Sequence, residues 1–266
     1  MCTPRDRPLS TTSHSLEFVA LPAIPLVRPG DDLVDLVLDG LAAAGRSLRE
    51  GDVLVIAQKI VSKAEDRYVD LRRINPSSRA RELAALCHKD ARLVELILSE
   101  STEVLRYRPG VLVVVHRLGV VLANAGIDHS NVEPASGAER VLLLPKDPDD
   151  TCRRLHETLR MRAGVDAGVI INDSAGRAWR NGTVGVALGA AGLPSLLDRR
   201  TRCDLFGRPL KASQQAIADE LAAAASLLQG QADEGTPVVL IRGFSARGAS
   251  AAAASLIRPK AEDLFR

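Results

Sequence analysis

Two short polar segments of the chain carry carboxylates directly after apolar runs. Residues 125–133 read Ala-Gly-Ile-Asp-His-Ser-Asn-Val-Glu and present Asp128, while the apolar residues 169–171 lead straight into Asp173 and Ser174. Carboxylate and hydroxyl oxygens are the ligands that hard divalent cations prefer. Two such loops, each at the end of a buried strand, predict a divalent-metal site in an enzyme that handles phosphate. Spacing alone leaves a local Asx-turn at Asp128 and a loop cap at Asp173 as alternatives.

A third segment, residues 57–65, places two lysines four residues apart behind the apolar strand 53–56. The ammonium groups of Lys59 and Lys63 could contact phosphate oxygens, and Ser62 offers a hydroxyl. A solvated lysine pair would have the same spacing. The position of this segment favours phosphate contact over a solvated lysine pair. It also follows an apolar strand and would meet the two acidic segments at one edge of the sheet.

A fourth segment, residues 230–237, is acidic and is bounded by Gly230 and Gly235. It lies between a predicted long helix and the last predicted strand. It reads either as an ordinary connection or as a loop beside a nucleotide or metal, with Gln231 as an oxygen donor.

Composition excludes several classes of protein. The chain has 266 residues, 46% of them hydrophobic and 26% charged, which is enough for one or two globular domains. A net charge of +2 gives no basic excess for a nucleic-acid surface. The four cysteines are widely spaced and predict free thiols in a reducing cytoplasm. We find neither a membrane-length apolar run, nor a P-loop, nor a Gly-x-Ser-x-Gly elbow.

The elements that would position these segments alternate between strands and helices. The order includes a hairpin, which favours an α+β fold with a mixed or antiparallel sheet and flanking helices. We expect one domain over 17–245, after a disordered leader at 1–16 and before a tail with a surface helix at 246–266. Strands are predicted at 17–21, 53–56, 111–115, 119–123, 141–144, 167–171, 183–189 and 237–241, and helices from Asp31, from Ser77 or Ser78, over 91–98, over 148–162, over 216–228 with a Ser213 cap, and over 248–256.

Taken in order along the chain, these segments resemble the coenzyme F420-0:γ-glutamyl ligase family. The resemblance extends from about Phe18 to Gly243, and its two specific motifs are Ser-Lys-x-Glu and Ala-Asn-Ala-Gly-Ile-Asp-x-Ser-Asn. The matching stretches are 24–27 with 30–32, 61–65, 123–128, 131–132, 173–174 with 176–177, and 182–189.

The resemblance implies the family's unusual α+β fold, a homodimer, and an amide ligase driven by GTP. It implies F420-0 and L-glutamate as substrates and two Mg²⁺ or Mn²⁺ ions, and it leaves room for K⁺. The catalytic positions would be Lys63, Asp128 and Asp173. The metal ligands would be Asp128, Asp173, Ser174 and Gln231. The nucleotide would contact Ile24, Pro25, Leu26, Val27, Gln58, Lys59, Lys63, Asn131, Gly230 and Gly235.

The chain departs from the family pattern at three places. Asp66 stands where Gly is usual, Ser174 where Thr is common, and Gln58-Lys59 replaces a Ser-Thr or Ser-Lys pair. The alternatives are a nucleotide-dependent ligase of the same scaffold that acts on another carboxylic acid, and a non-catalytic binder of a nucleotide or phosphate. The choice of GTP over ATP, and of Mg²⁺ over Mn²⁺, stays open, as does the general base, for which Glu65 and His129 are candidates.

Overall fold

The computed structural model describes residues 14–132, 139–200, 202–245 and 248–264. The strands are β1 Glu17–Ala20, β2 Val53–Ala57, β3 Tyr68–Asp70, β4 Ser101–Arg108, β5 Val111–His116, β6 Val121–Ala123, β7 Arg140–Leu142, β8 Gly168–Arg177, β9 Arg180–Ala191, β10 Leu196–Asp198, β11 Gln214–Ala216 and β12 Val238–Arg242. The helices are α1 Leu33–Ala43, α2 Gln58–Ala64, α3 Ser78–Cys87, α4 Ala91–Ser99, α5 Pro148–Ala163 and α6 Ile217–Gln229.

A five-stranded mixed sheet with the order β1-β12-β2-β8-β9 forms the centre of the fold. Only β2 and β8 run parallel, and the other neighbouring pairs are antiparallel. Ala57, the last residue of β2, pairs with Asn172 in β8. The residues that follow, Gln58 and Asp173, are therefore brought to the same part of the sheet. The predicted α+β class with a mixed sheet is confirmed.

Helices cover both faces of this sheet because its strands alternate buried residues between two cores. One core, which includes α1 and α5, takes Leu54, Ile56, Val169, Ile171 and Leu240. The other, which includes α6, takes Val53, Val55, Ile170, Val239 and Ile241. A sheet buried on both faces reads as continuous apolar runs, as these strands do.

Two glycines let β9 approach the helices closely. A Cβ at Gly185 would lie 2.3 Å from the carbonyl oxygen of Ala222 in α6. A Cβ at Gly189 would lie 2.3 Å from the carbonyl oxygen of Pro148 in α5. Both neighbours are backbone atoms, so a side chain at either position would separate strand from helix.

A smaller unit of three strands packs beside the central sheet. Its order is β4-β5-β6, and α3 and α4 share its apolar core. The predicted hairpin is confirmed as β5 and β6, whereas β4 was not predicted. A separate antiparallel pair, β3 with β7, continues through a single bridge between Leu142 and Asp128. That bridge fixes the backbone of Asp128.

Several predicted helix boundaries need correction. Helix α1 is capped by Asp32, whose carboxylate accepts from Val34 N, whereas Asp31 accepts from Arg28 N before the helix. The prediction that Ser213 caps α6 is wrong, because 214–216 pairs with β10 and the helix begins at Ile217.

The prediction of a surface helix over 248–256 is also wrong. Within this range only Ala253–Leu256 is helical, and it forms a single 3₁₀ turn. The backbone N–H groups of Ala253 and Ala254 donate to the carboxylate of Asp149, which holds the tail against the start of α5 and β9. The expected leader falls on residues 1–13, outside the described residues, and on 14–16.

The cysteines behave only partly as predicted. Cys87 and Cys152 are buried free thiols, and burial raises the pKa of both. Cys203 is disulfide-bonded, so the expectation of a free thiol is wrong there. No helix within the described ranges is long and apolar enough to cross a membrane.

Candidate active site

The four polar segments meet at one cavity beside the C-terminal end of β2 and the middle of β8. Its volume is about 570 Å³, within the range of small-molecule sites. Every residue that the sequence assigned to the site lines this cavity: Ile24, Pro25, Leu26, Val27, Gln58, Lys59, Lys63, Asp128, Asn131, Asp173, Ser174, Gly230, Gln231 and Gly235.

Asp173 and Ser174 lie within a strand and not in a loop, which corrects the prediction for the second acidic segment. Strand β8 continues to Arg177 because β9 pairs with it throughout, with Asp173 opposite Val186 and Ser174 opposite Gly185. Asn172 is directed to α6, where its amide exchanges hydrogen bonds with that of Gln229 at 2.7 and 3.0 Å. The carboxylate of Asp173 is thus placed by rigid secondary structure.

Asp128 and Asp173 face each other across the side chain of Gln58. The amide Nε2 of Gln58 donates to Asp128 Oδ2 at 2.7 Å, and Gln58 also forms a side-chain hydrogen bond with Asp173. Ser62 donates its hydroxyl to Gln58 Oε1 at 2.9 Å. This bond sets the orientation of the amide, so its donor faces the carboxylates.

The two carboxylates repel each other. Burial, followed by the negative charge of Asp128, raises the pKa of Asp173 from 3.8 to about 7. Hydrogen bonds from Ser174 N and Gln58, and the charge of Lys59, act in the opposite direction. A divalent cation beside both groups would favour the ionised form of Asp173.

The ammonium group of Lys59 contacts the acidic segment. Its Nζ lies 3.0 Å from Asp128 Oδ1 and 3.1 Å from Ser130 Oγ. The sequence assigned Lys59 to a nucleotide, whereas the structure pairs it with a predicted metal ligand. Lys63, one turn later on α2, also lines the cavity.

The loop 230–237 closes one side of the cavity. Gly230 adopts a φ of +74° and a ψ of −175°, a backbone conformation that strains any residue with a Cβ, and the carboxylate of Glu234 packs against its Cα. Asn131 donates to Ala232 O at 2.8 Å and thereby ties the Asp128 segment to this loop. The Gln231 Oε1 atom accepts from Thr183 Oγ1 at 3.4 Å.

The charges around the cavity favour cations. Its lining includes four carboxylates, Asp128, Asp173, Asp233 and Glu234, against the two ammonium groups of Lys59 and Lys63. The C-terminal end of α6 also meets the cavity, at Gln229 and Gly230, and a helix C-terminus carries partial negative charge.

The donor set fits Mg²⁺ or Mn²⁺. Two facing carboxylates and the hydroxyl of Ser174 provide hard oxygen ligands. Across the described residues, no group of three or more His, Cys, Asp or Glu side chains is arranged to hold a metal. Two carboxylates and one hydroxyl would leave coordination positions for substrate oxygens and water.

Sequence reasoning missed several lining residues, among them Tyr68, Ser226 and Gln229. Tyr68 begins the short strand β3, and the other two lie in the last turn of α6, so none carried a local signal. The candidate bases lie outside the lining. Both oxygens of Glu65 are occupied, at 2.8 Å by Lys146 N and at 2.9 Å by Thr151 Oγ1.

A second cavity of about 380 Å³ lies between the 117–120 turn, the start of α5 and the tail. It contains none of the predicted site residues. Its guanidinium, on Arg117, already donates to Glu100 and to the carbonyls of Pro145 and Lys146. We therefore place the chemistry in the larger cavity.

Comparison with known proteins agrees with this arrangement. The sequence model of the F420-0:gamma-glutamyl ligase family matches residues 23–243. The chain is 44% identical over 253 residues to the coenzyme F420:L-glutamate ligase of Methanothermobacter thermautotrophicus, covering 94% of this chain and 99% of that protein. It is 45% identical over 256 residues to the coenzyme F420:L-glutamate ligase of Methanopyrus kandleri, covering 95% of this chain and 98% of that protein. The chain belongs to the F420-0:gamma-glutamyl ligase family.

Proposed function

We propose that this protein joins L-glutamate to the terminal carboxylate of coenzyme F420-0, with GTP as co-substrate and GDP and phosphate as products. The family description supports F420-0 as the acceptor, and the relatives, which are named coenzyme F420:L-glutamate ligases, support the amino acid. One observation carries the proposal for the site: the residues that the family pattern assigns to nucleotide and metal, from five distant chain segments, line one cavity.

The proposed reaction has two steps. The terminal carboxylate of F420-0 attacks the γ-phosphorus of GTP, the bond to the β-phosphate oxygen breaks, and an acyl phosphate and GDP form. The α-amine of glutamate then attacks the acyl carbon, loses a proton, and displaces phosphate to leave an amide. No protein nucleophile is required, which agrees with a cavity lined by carboxylates, amides and lysines.

The protein's task in such a reaction is positioning and charge neutralisation. Asp128, Asp173 and Ser174, with Gln231 at the rim, would hold two Mg²⁺ or Mn²⁺ ions, and K⁺ belongs to the proposal as a further cation. Bound divalent ions neutralise phosphate charge. Lys63 would stabilise charge on the transferring phosphoryl group. Residues 24–27 would border the nucleotide, where Leu26 offers a side chain that is 83% exposed.

The direct test is incubation with F420-0, L-glutamate, GTP and Mn²⁺, with products read by mass spectrometry. We expect a new species one glutamyl unit heavier than F420-0, together with GDP. Replacement of GTP by ATP, and of F420-0 by other carboxylic acids, defines both specificities. If no glutamyl product forms while another acid is ligated, the acceptor assignment is wrong.

Asp128→Ala and Asp173→Ala should each lower glutamate-dependent GTP turnover by about a hundredfold or more, because each removes a charged metal ligand. Asp39→Ala, an exposed carboxylate on α1, is the matched control and should behave as the wild type. Turnover near the wild-type rate in either site variant would contradict the metal assignment.

We also propose that the protein is a homodimer. The tip of the β8–β9 hairpin projects from the fold, and Trp179 at its end is 82% exposed. Tryptophan buries a large apolar area and is enriched at protein interfaces, which makes Trp179 a candidate contact for a second copy of the chain. Light scattering of the wild type and of Trp179→Ser would test it, with a shift of the variant towards monomer as the expected result.

A further inference from the structure

The ion pair between Lys59 and Asp128 has a consequence for how cations enter the cavity, and the argument rests on the proposed function. Both oxygens of Asp128 already have donors: Lys59 Nζ at 3.0 Å on Oδ1 and Gln58 Nε2 at 2.7 Å on Oδ2. The ammonium group also contacts Ser130 through Oγ at 3.1 Å and through its carbonyl oxygen at 3.5 Å. Three oxygens thus surround one positive charge at a position where a metal ion would need Asp128.

The two donors differ in their freedom to move. Gln58 is buried and its amide is held by the hydroxyl of Ser62, so it remains in place. The side chain of Lys59 is 27% exposed and ends a flexible four-carbon stem. Lys59 lies in the first turn of α2 at the cavity wall, so its ammonium can turn towards a ligand inside the cavity without any change of backbone.

We propose that Lys59 acts as an exchangeable cation that couples metal binding to nucleotide binding. In the empty site its ammonium neutralises Asp128 and opposes the entry of a divalent ion. When nucleotide phosphates enter, they take the ammonium, and Asp128 becomes available to a metal ion. Lys59 is therefore a positioning residue that makes nucleotide and metal bind together, and not only a nucleotide contact.

The first test measures Mn²⁺ binding without nucleotide, by the electron paramagnetic resonance signal of free Mn²⁺. Lys59→Met should bind Mn²⁺ about tenfold more tightly than the wild type, because one competing positive charge is gone. Lys59→Arg keeps the charge and should bind no more tightly than the wild type. Lys211→Met removes an exposed lysine from the 199–213 loop and should leave the affinity unchanged. Equal or weaker Mn²⁺ binding by Lys59→Met, in protein whose melting temperature shows it to be folded, overturns the proposal.

The second test measures GDP binding by calorimetry at saturating Mn²⁺, which does not depend on turnover. Lys59→Met should bind GDP at least about fivefold more weakly than the wild type, since the phosphates lose their ammonium partner. Tighter Mn²⁺ binding with unchanged GDP binding overturns the exchange, because the lysine would then compete with the metal without serving the nucleotide. Failure of GDP to bind the wild type would instead refute the proposed nucleotide role, and the exchange with it.

Discussion

Replacement of Asp173 by Asn should stabilise the metal-free protein at alkaline pH. The pKa of Asp173 is raised from 3.8 to about 7, first by burial and then by Asp128. Its contribution to stability is therefore complete below the unfolded-state value of 3.8 and is lost as the pH rises to about 7. Asparagine resembles the neutral acid at every pH and avoids this loss.

The magnitude follows from the shift. At about 1.4 kcal/mol per pKa unit, ionised Asp173 costs the fold about 4 kcal/mol above pH 7. Water in the cavity reaches part of the side chain and screens its charge, so we expect about 2–4 kcal/mol. At pH 5 the same relation gives a cost of about 1.7 kcal/mol, which falls to about 1 kcal/mol after the same screening. The difference in unfolding free energy between Asp173→Asn and the wild type should thus grow by about 2 kcal/mol, in favour of the variant, between pH 5 and pH 8.

The assay is urea denaturation with a chelator at both pH values, at one protein concentration. Asp39→Asn, which changes an exposed carboxylate of α1, should follow the wild type at both. Added Mn²⁺ at pH 8 should then stabilise the wild type and leave Asp173→Asn almost unchanged, because ligands stabilise only the state that binds them. A constant difference between the variant and the wild type at the two pH values would refute the reasoning about burial and charge.

Two further substitutions test the backbone that supports the site. Asp66 has a φ of +52° at the end of α2, where Arg67 N bonds Ser62 O and Asp66 N bonds Lys63 O in a Schellman motif. Asp66→Gly should raise the unfolding free energy by about 1 kcal/mol, because only glycine adopts this conformation without strain. Asp66→Ala should not raise it. Urea denaturation midpoints measure both variants. Gly185→Ala should lower it by at least about 2 kcal/mol through the clash with Ala222 O, whereas Gly176→Ala, where nothing lies within 4 Å, should stay within about 0.5 kcal/mol. If Gly185→Ala and Gly176→Ala changed the unfolding free energy equally, the close packing of β9 on α6 would be contradicted.

Much of the fold could be predicted because burial imposes simple patterns on its central elements. The apolar runs at 53–56 and 167–171 are the parallel strands β2 and β8, and the proline near the start of α5 marks that helix. Strand β4 was missed because its residues are mostly exposed or half-buried and include several charges. The pairing of β2 with β8 joins residues more than a hundred positions apart, and no local pattern specifies such a partner.

The members of the site were easier to predict than the contacts between them. Every residue that the resemblance assigned lines the cavity, and the pairing of β2 with β8 is what brings Gln58 and Asp173 together there. The particular partners were not predictable. Lys59 was assigned to a nucleotide and contacts Asp128, and Asn131 was given the same role but donates to Ala232 O. These pairings depend on a loop conformation that forms only after the sheet has brought the segments together.

The guanidinium of Arg67 and the negatively charged cavity serve separate purposes in the fold. Arg67 does not line the cavity, and it donates to Glu100, just before β4, and to the carbonyl of Leu144, just after β7. The cavity retains only two ammonium groups beside four carboxylates and a helix C-terminus. A triphosphate entering such a surface alone would face net repulsion, whereas a triphosphate that brings divalent ions would not. Because the carboxylates sit on a strand and on a bridged turn that hydrogen bonds hold in place, the binding energy of the metal ions would not be spent on ordering the protein. The charge balance and the rigidity of the wall therefore favour the same conclusion: nucleotide affinity in this protein should depend on divalent cations, and the exchange at Asp128 is the point at which that dependence arises.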